Sequence, residues 1–184
     1  MLKPFKLANN NFLSSLDMSS EEVIGILKLA NHLKSNQLNI EYKNKVLGLI
    51  FDKSSTRTRV SFQVAMSRLA GTTIDLNPTT SQIGRGEPIK DTARVLSRYC
   101  DVLAIRTFNH CDLEEYEKWS SKPVINALTD LEHPCQALAD YMTIIEEFSD
   151  LKKVVLTFVG DGNNVANSLT VSYTHLTLPT TMLV

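Results

Sequence analysis

With 184 residues, 43% of them apolar and 21% charged, the chain has the composition of a soluble globular protein of one domain, or one domain and a piece. A net charge of −1 offers no basic field for nucleic acid, and no apolar run approaches the about 20 residues that a membrane span needs. Three scattered cysteines, Cys100, Cys111 and Cys135, suit free thiols in the cytosol and give neither a disulfide framework nor a zinc spacing.

Residues 1–6 are not followed by the apolar core of a signal peptide. Ser19 and Glu22 form a capping box, with Met18 and Val23 placed as its hydrophobic staple. Val23, Leu27, Ala30 and Leu33 mark the core-facing stripe of the first helix. Residues 45–51 read as a buried strand. The polar stretch Asp52-Lys53-Ser54-Ser55-Thr56-Arg57-Thr58-Arg59 follows. Val60, Phe62, Val64, Ala65, Met66 and Leu69 then supply the apolar positions of a helix, with Gly71 as its C-cap.

Residues 72–76 make a short second strand, and 77–90 a long polar loop of the kind that often binds or covers a ligand. A helix with Ile89, Ala93, Leu96, Tyr99 and Cys100 leads to a third strand at 102–105, with Arg106 at its carboxyl end. An acidic helix at 110–119 and a fourth strand at 123–128 follow. A helix runs from Pro134 to about Phe148, and a fifth strand at 154–159 ends in Gly160-Asp161-Gly162-Asn163-Asn164. Strands alternating with helices imply βαβ crossovers and a parallel sheet.

Ligands of such sheets sit beyond the carboxyl ends of the strands. That edge receives the 52–59 stretch, Arg106 and the loop carrying His133. A helix start bears unpaired N–H groups and a partial positive charge. Here Ser55, Thr56 and Thr58 add hydroxyls, and Arg57 and Arg59 add guanidinium groups suited to phosphate oxygens. The stretch therefore predicts a phosphate pocket, although an N-capped helix with solvated arginines has the same composition. No Gly-Lys-Ser/Thr is present, so it is not a P-loop. Arg57 and Arg106 supply two charges for a dianion, unless Arg106 serves a structural salt bridge. Arg59, two positions from Arg57, points elsewhere and suits a structural role. His133 and Gln136 share one side of a helix start and can reach one carbonyl or amide group. Cys135 faces away from it.

Ser55-Thr56-Arg57-Thr58-Arg59 resembles the carbamoyl-phosphate signature of the aspartate and ornithine carbamoyltransferases. His133-Pro134-Cys135-Gln136-Ala137-Leu138-Ala139-Asp140 is similar to the family's second signature. Ser81-Gln82-Ile83-Gly84-Arg85-Gly86-Glu87 with Lys90-Asp91-Thr92-Ala93-Arg94 resembles the ornithine branch, because the aspartate enzymes carry a lysine-bearing loop there. Gly160-Asp161-Gly162-Asn163-Asn164 fits the ornithine branch too. The likeness runs from about residue 7 to Leu169.

The resemblance implies an α/β fold: a four-stranded parallel sheet flanked by helices over 1–148, then at 149–169 the first strand of a truncated second α/β domain. It implies that Ser55, Thr56, Arg57 and Thr58 bind phosphate, and that Arg106 bridges phosphate and carbonyl oxygen. His133 donates to that oxygen, and Gln136 holds the carbamoyl amide. Gln82 reaches carbamoyl phosphate in a neighbouring subunit of a homotrimer, and Asn164 touches ornithine. The δ-amine of ornithine attacks the carbonyl carbon and phosphate leaves, giving citrulline in the cytoplasm. Arg57, Arg106, His133 and Gln136 form the catalytic set, with no metal or organic cofactor and no protein nucleophile. Aspartate carbamoyltransferase and a non-catalytic phosphate-binding module are the alternatives. A dinucleotide oxidoreductase is a weaker one, since Val165 stands where a third glycine is needed.

Residues 170–184 depart from the family. They are rich in β-branched residues and carry Pro179, a composition poor for a helix. Val171-Ser172-Tyr173-Thr174-His175-Leu176 resembles a translated transposon-end adapter of sequencing libraries, so this tail is expected to be foreign to the protein. The ornithine-binding Asp, Ser-Met-Gly and His-Cys-Leu-Pro residues of the family's second domain do not occur in these 184 residues, which are expected to show weak turnover by themselves.

Overall fold

The computed structural model describes residues 7–35, 40–78, 81–148 and 154–175. They fall into two compact units. One comprises Asn10–Leu13 and Ile40–Asp130; the other comprises the described parts of Met1–Asn9, Ser14–Asn39 and Leu131–Val184.

The first unit is built on four parallel strands, β1 (Val46–Phe51), β2 (Thr72–Leu76), β3 (Val102–Arg106) and β4 (Val124–Leu128), in the order β2-β1-β3-β4. It also holds helices α2 (Arg57–Arg68), α3 (Ile89–Tyr99) and α4 (His110–Trp119). β1 is apolar at nearly every position because both its faces are covered. Leu47, Leu49 and Phe51 meet Phe62 and Met66 of α2 on one face. Ile50 joins Ala93 of α3 and Leu113 and Tyr116 of α4 on the other. Leu103 and Ile105 of β3 face that second cluster and Ala104 the first, as a period of two requires. Each fully buried Leu or Ile contributes about 1.5–3 kcal/mol. Phe12 adds a one-residue parallel bridge to Ile125, its N–H donating to the Val124 carbonyl at 2.8 Å.

The second unit contains a 3-10 turn (Ser15–Asp17), α1 (Ser20–Lys34), α5 (Pro134–Glu147) and α6 (Asn164–His175). α1 packs on α5, α5 on α6, and α6 on the 3-10 turn. The Ser19–Glu22 capping box forms as expected, with Ser19 N–H donating to Glu22 Oε2 at 2.8 Å. Met18, Val23 and Leu27 are buried. No helix among the described residues is long and apolar enough to cross a membrane.

Four local expectations are corrected. Residues 154–159 join no strand ladder, and Val155 and Val159 are 83% and 88% exposed. A parallel strand needs neighbouring strands for its hydrogen bonds, and among the described residues no strand pairs with this segment. The C-cap of α2 is Leu69, and the left-handed residue is Ala70 (φ 57°) rather than Gly71. Gly71 and Ala70 donate to the carbonyls of Met66 and Ser67 at 2.9 and 3.0 Å, the paired bonds of a Schellman ending. Val60 and Val64 of α2 and Tyr99 of α3 are exposed, because a half-buried helix covers its sheet with one stripe only.

The tail, finally, is helical as far as His175. Asn163 Oδ1 caps that helix, accepting from Val165 and Ala166 N–H at 3.0 and 3.1 Å. Burial of Ala166, Ser168 and Ser172 outweighs the poor propensity of its β-branched residues. Residues 176–184 of the tail and 149–153 lie outside the described residues.

Candidate functional site

The strand order places a topological switch point between β1 and β3. β1 leads through α2 to β2 on one side, and β3 leads through α4 to β4 on the other. With α2 on one face and α4 on the opposite one, the carboxyl ends of β1 and β3 open a crevice between diverging loops. Phe51 and Arg106 are register partners there, and Asp52 N–H donates to the Arg106 carbonyl at 2.8 Å.

The α2 start at this crevice suits an anion. Its N-cap, Thr56, makes no side-chain cap bond, and its first turn holds no acidic residue. Its partial positive charge is therefore not offset locally. Thr56 and Arg57 are exposed, and Ser55 and Thr58 half-buried. Arg59 turns away, pairing with Asp75 of β2 and lying 4.8 Å from the Phe51 ring centre, which agrees with the structural role read for it.

Arg106 stands at a bulge, where pairing with β4 steps from Ile105–Asn126 to Arg106–Leu128. Bulges commonly re-aim a side chain beside a site. Its Nε is buried without a hydrogen-bond partner, and burial lowers the guanidinium pKa from its ordinary value. No salt bridge engages it among the described residues, so the structural alternative is not seen. Asp52 Oδ1 is likewise buried and unpartnered; burial raises that carboxyl above its usual range, against a hydrogen bond from Thr107. Lys53 Nζ lies 4.4 Å from the Phe108 ring centre, joining the loops that leave β1 and β3. Sequence reasoning missed both Asp52 and Lys53, although the polar run itself contains them.

Gln82 is exposed at the head of a 3-10 turn, Ile83–Arg85, that shortens the expected loop. Its carbonyl accepts from Arg85 and Glu87 N–H at 2.9 and 3.2 Å. A Cβ at Gly84 would collide with the Pro78 carbonyl, so the turn requires glycine there.

His133, Gln136 and Asn164 belong to the other unit. His133 is the N-cap of α5, 8% exposed, with Pro134 behind it at the first turn. Its carbonyl accepts from Gln136 N–H at 3.0 Å, and its own N–H donates to Ser168 Oγ at 2.8 Å. Gln136 is exposed, and its Nε2 donates to Asp140 Oδ1 at 2.8 Å. Cys135 is half-buried with its thiol pushed up to about 12 by burial, which fits its reading as packing. Asn164 is the half-buried first residue of α6. The structure thus brings Ser55, Thr56, Arg57, Thr58 and Arg106 to one sheet edge, while His133, Gln136 and Asn164 sit at helix starts of the second unit.

Known proteins are similar to this chain in sequence and fold. The model of the "Aspartate/ornithine carbamoyltransferase, carbamoyl-P binding domain" matches residues 10–146. Ornithine carbamoyltransferase of Prochlorococcus marinus (strain MIT 9312) is 79% identical over 169 residues, 92% of this chain and 55% of the relative. The crystal structure of ornithine carbamoyltransferase from Gloeobacter violaceus superimposes with a TM-score of 0.85 at 49% identity, over 92% of this chain and 56% of that one. Aspartate transcarbamoylase from Trypanosoma cruzi in complex with carbamoyl phosphate gives a TM-score of 0.85 at 28% identity, over 94% of this chain and 59% of that one. The chain spans about half the length of the curated relatives it matches. By its matched residues and its fold, the chain belongs to the aspartate/ornithine carbamoyltransferase family.

Proposed function

We propose that the chain binds carbamoyl phosphate and, within the whole protein, serves transfer of its carbamoyl group to the δ-amine of ornithine. Ser55, Thr56, Arg57 and Thr58 hold the phosphate, and Arg106 spans phosphate and carbonyl oxygen. His133 donates to that oxygen, and Gln136 holds the amide. Asn164 contacts ornithine, and Gln82 is lent to a neighbouring copy in a cytoplasmic homotrimer. Residues 1–148 are the carbamoyl-phosphate domain, 149–169 open the ornithine domain, and 170–184 are foreign to it.

In the reaction, the amine lone pair forms a C–N bond to the carbonyl carbon and the oxygen gains negative charge. Arg106 and His133 stabilise that oxyanion. The C–O bond to phosphate then breaks, phosphate leaves with the electron pair, and the amine loses a proton. The observation that carries the reading is an uncapped, acid-free helix start beside Arg106, whose buried Nε is unpartnered. The ornithine branch is favoured over the aspartate branch by the names and identities of the relatives, 79% against 28%.

Titration calorimetry with carbamoyl phosphate, with a citrulline assay on the whole protein, tests this. Arg57→Ala and Arg106→Ala are expected to weaken binding about 100-fold each, as for lost charge-assisted bonds. Unchanged affinity in both would overturn the site, and carbamoyl-aspartate as the product would select the aspartate branch.

A further inference from the structure

The His133 backbone is tied to a carboxylate that the mechanism above does not use. Glu132 is 5% exposed, and its carboxylate is surrounded by donors. Oε1 accepts from Ser14 Oγ at 2.5 Å; Oε2 accepts from Ser15 N–H at 3.2 Å and from Ser168 Oγ at 3.3 Å. Ser168, itself fully buried, accepts the His133 N–H at 2.8 Å. Two more bonds hold the neighbouring backbone: Asn167 Nδ2 donates to the Leu131 carbonyl at 2.9 Å, and Tyr141 Oη to the Leu169 carbonyl at 2.7 Å.

The chemistry of the groups gives this network a direction. A carboxylate only accepts, whereas a hydroxyl has one proton and two lone pairs. Spending the Ser168 proton on Glu132 leaves only lone pairs to face the His133 N–H. At 3.3 Å the Ser168–Glu132 bond is a long one, so its part is to orient the hydroxyl proton away from the His133 N–H, and each bond in the chain polarises the next. We propose that Glu132, acting through Ser168, is a positioning residue that fixes the N-cap backbone of His133 and hence the direction of its imidazole. This rests on the carbamoyl-phosphate reading, in which His133 serves the carbamoyl end of the ligand and the sheet-edge residues serve the phosphate end.

That division supplies the test. Carbamoyl phosphate and inorganic phosphate are titrated into the 184-residue chain and its variants, and the preference for the former is the readout. Glu132→Gln keeps the shape but introduces an N–H donor, which frees Ser168 to turn. It is expected to lower the preference about tenfold, the value of one well-placed hydrogen bond, with phosphate affinity within about twofold. Where Glu132→Gln does not fold, Ser168→Ala removes only the relay hydroxyl and is expected to give the same shift. His133→Ala serves as the reference and abolishes the preference. A preference retained in the Glu132 and Ser168 variants but lost in His133→Ala overturns the positioning role alone. Equal loss of both affinities assigns Glu132 to general stability and also overturns it. If His133→Ala retains the preference, the underlying assignment of the carbamoyl end fails instead.

Discussion

Arg57 and Arg59 lie two residues apart and are expected to behave differently. The α2 geometry turns Arg59 onto Asp75 and Phe51 and leaves Arg57 exposed. A partly exposed ion pair and a ring contact are each worth about 0.5–1 kcal/mol. Arg59→Ala should therefore lower urea stability by about 1–2 kcal/mol with phosphate affinity unaltered. Arg57→Ala should do the reverse, and the same loss in both assays for both variants would refute the distinction. This separation was legible in the sequence because helical spacing alone splits the two side chains. Asp52 was not, since its pKa is set by burial and by Thr107 and Asp112, which lie more than fifty residues away. Burial raises its pKa in the folded chain, so ionising it opposes folding. The stability of the neutral form is present below the unfolded pKa and lost as pH rises through the folded one. Asp52→Asn is thus expected to melt above the parent at about pH 7 and level with it at about pH 3; a constant difference across that range would exclude the carboxyl as its cause.

Among the elements, those with a local cause were readable. The Ser19–Glu22 box, the apolar run of β1 and Pro134 at the α5 start are short-range signals, and each element stands where they put it. Tertiary contacts decided the rest. A strand-like segment at 154–159 joined no ladder, and α6 extended because it packs buried residues such as Ala166 and Ser168. The Glu132 network was hidden for the same reason, its partners Ser14 and Ser168 being 118 and 36 positions away. At the end of α2, glycine was expected to take the left-handed turn, yet Ala70 takes it with its Cβ in place. The left-handed region costs a residue with a Cβ about 1–2 kcal/mol, and Gly's greater unfolded entropy returns part of that. Ala70→Gly should stabilise the chain by about 0.5–1 kcal/mol in urea unfolding. Any loss of stability would mean that the Schellman ending does not form in solution.

At the scale of the whole molecule, the parallel sheet and its loaded edge follow from alternation of strand and helix, and the order β2-β1-β3-β4 adds the reason that edge is a crevice. What a single chain does not specify is who receives Gln82. Its turn passes Gly84 close to the Pro78 carbonyl and closes on the left-handed Gly86, and it leaves Gln82 exposed. In the closed ring of copies proposed above, each site would draw Arg57 from one chain and Gln82 from the next. Arg57→Ala chains still lend a sound Gln82, and Gln82→Ala chains keep a sound Arg57. Each variant alone should bind little carbamoyl phosphate. Co-expressed in equal amounts, one in two sites has a sound owner and one in two of those a sound neighbour, so about a quarter of the parent's binding capacity should return. Calorimetric stoichiometry on the purified mixture reads that fraction directly. A mixture no better than its components would mean that Gln82 serves its own chain or none.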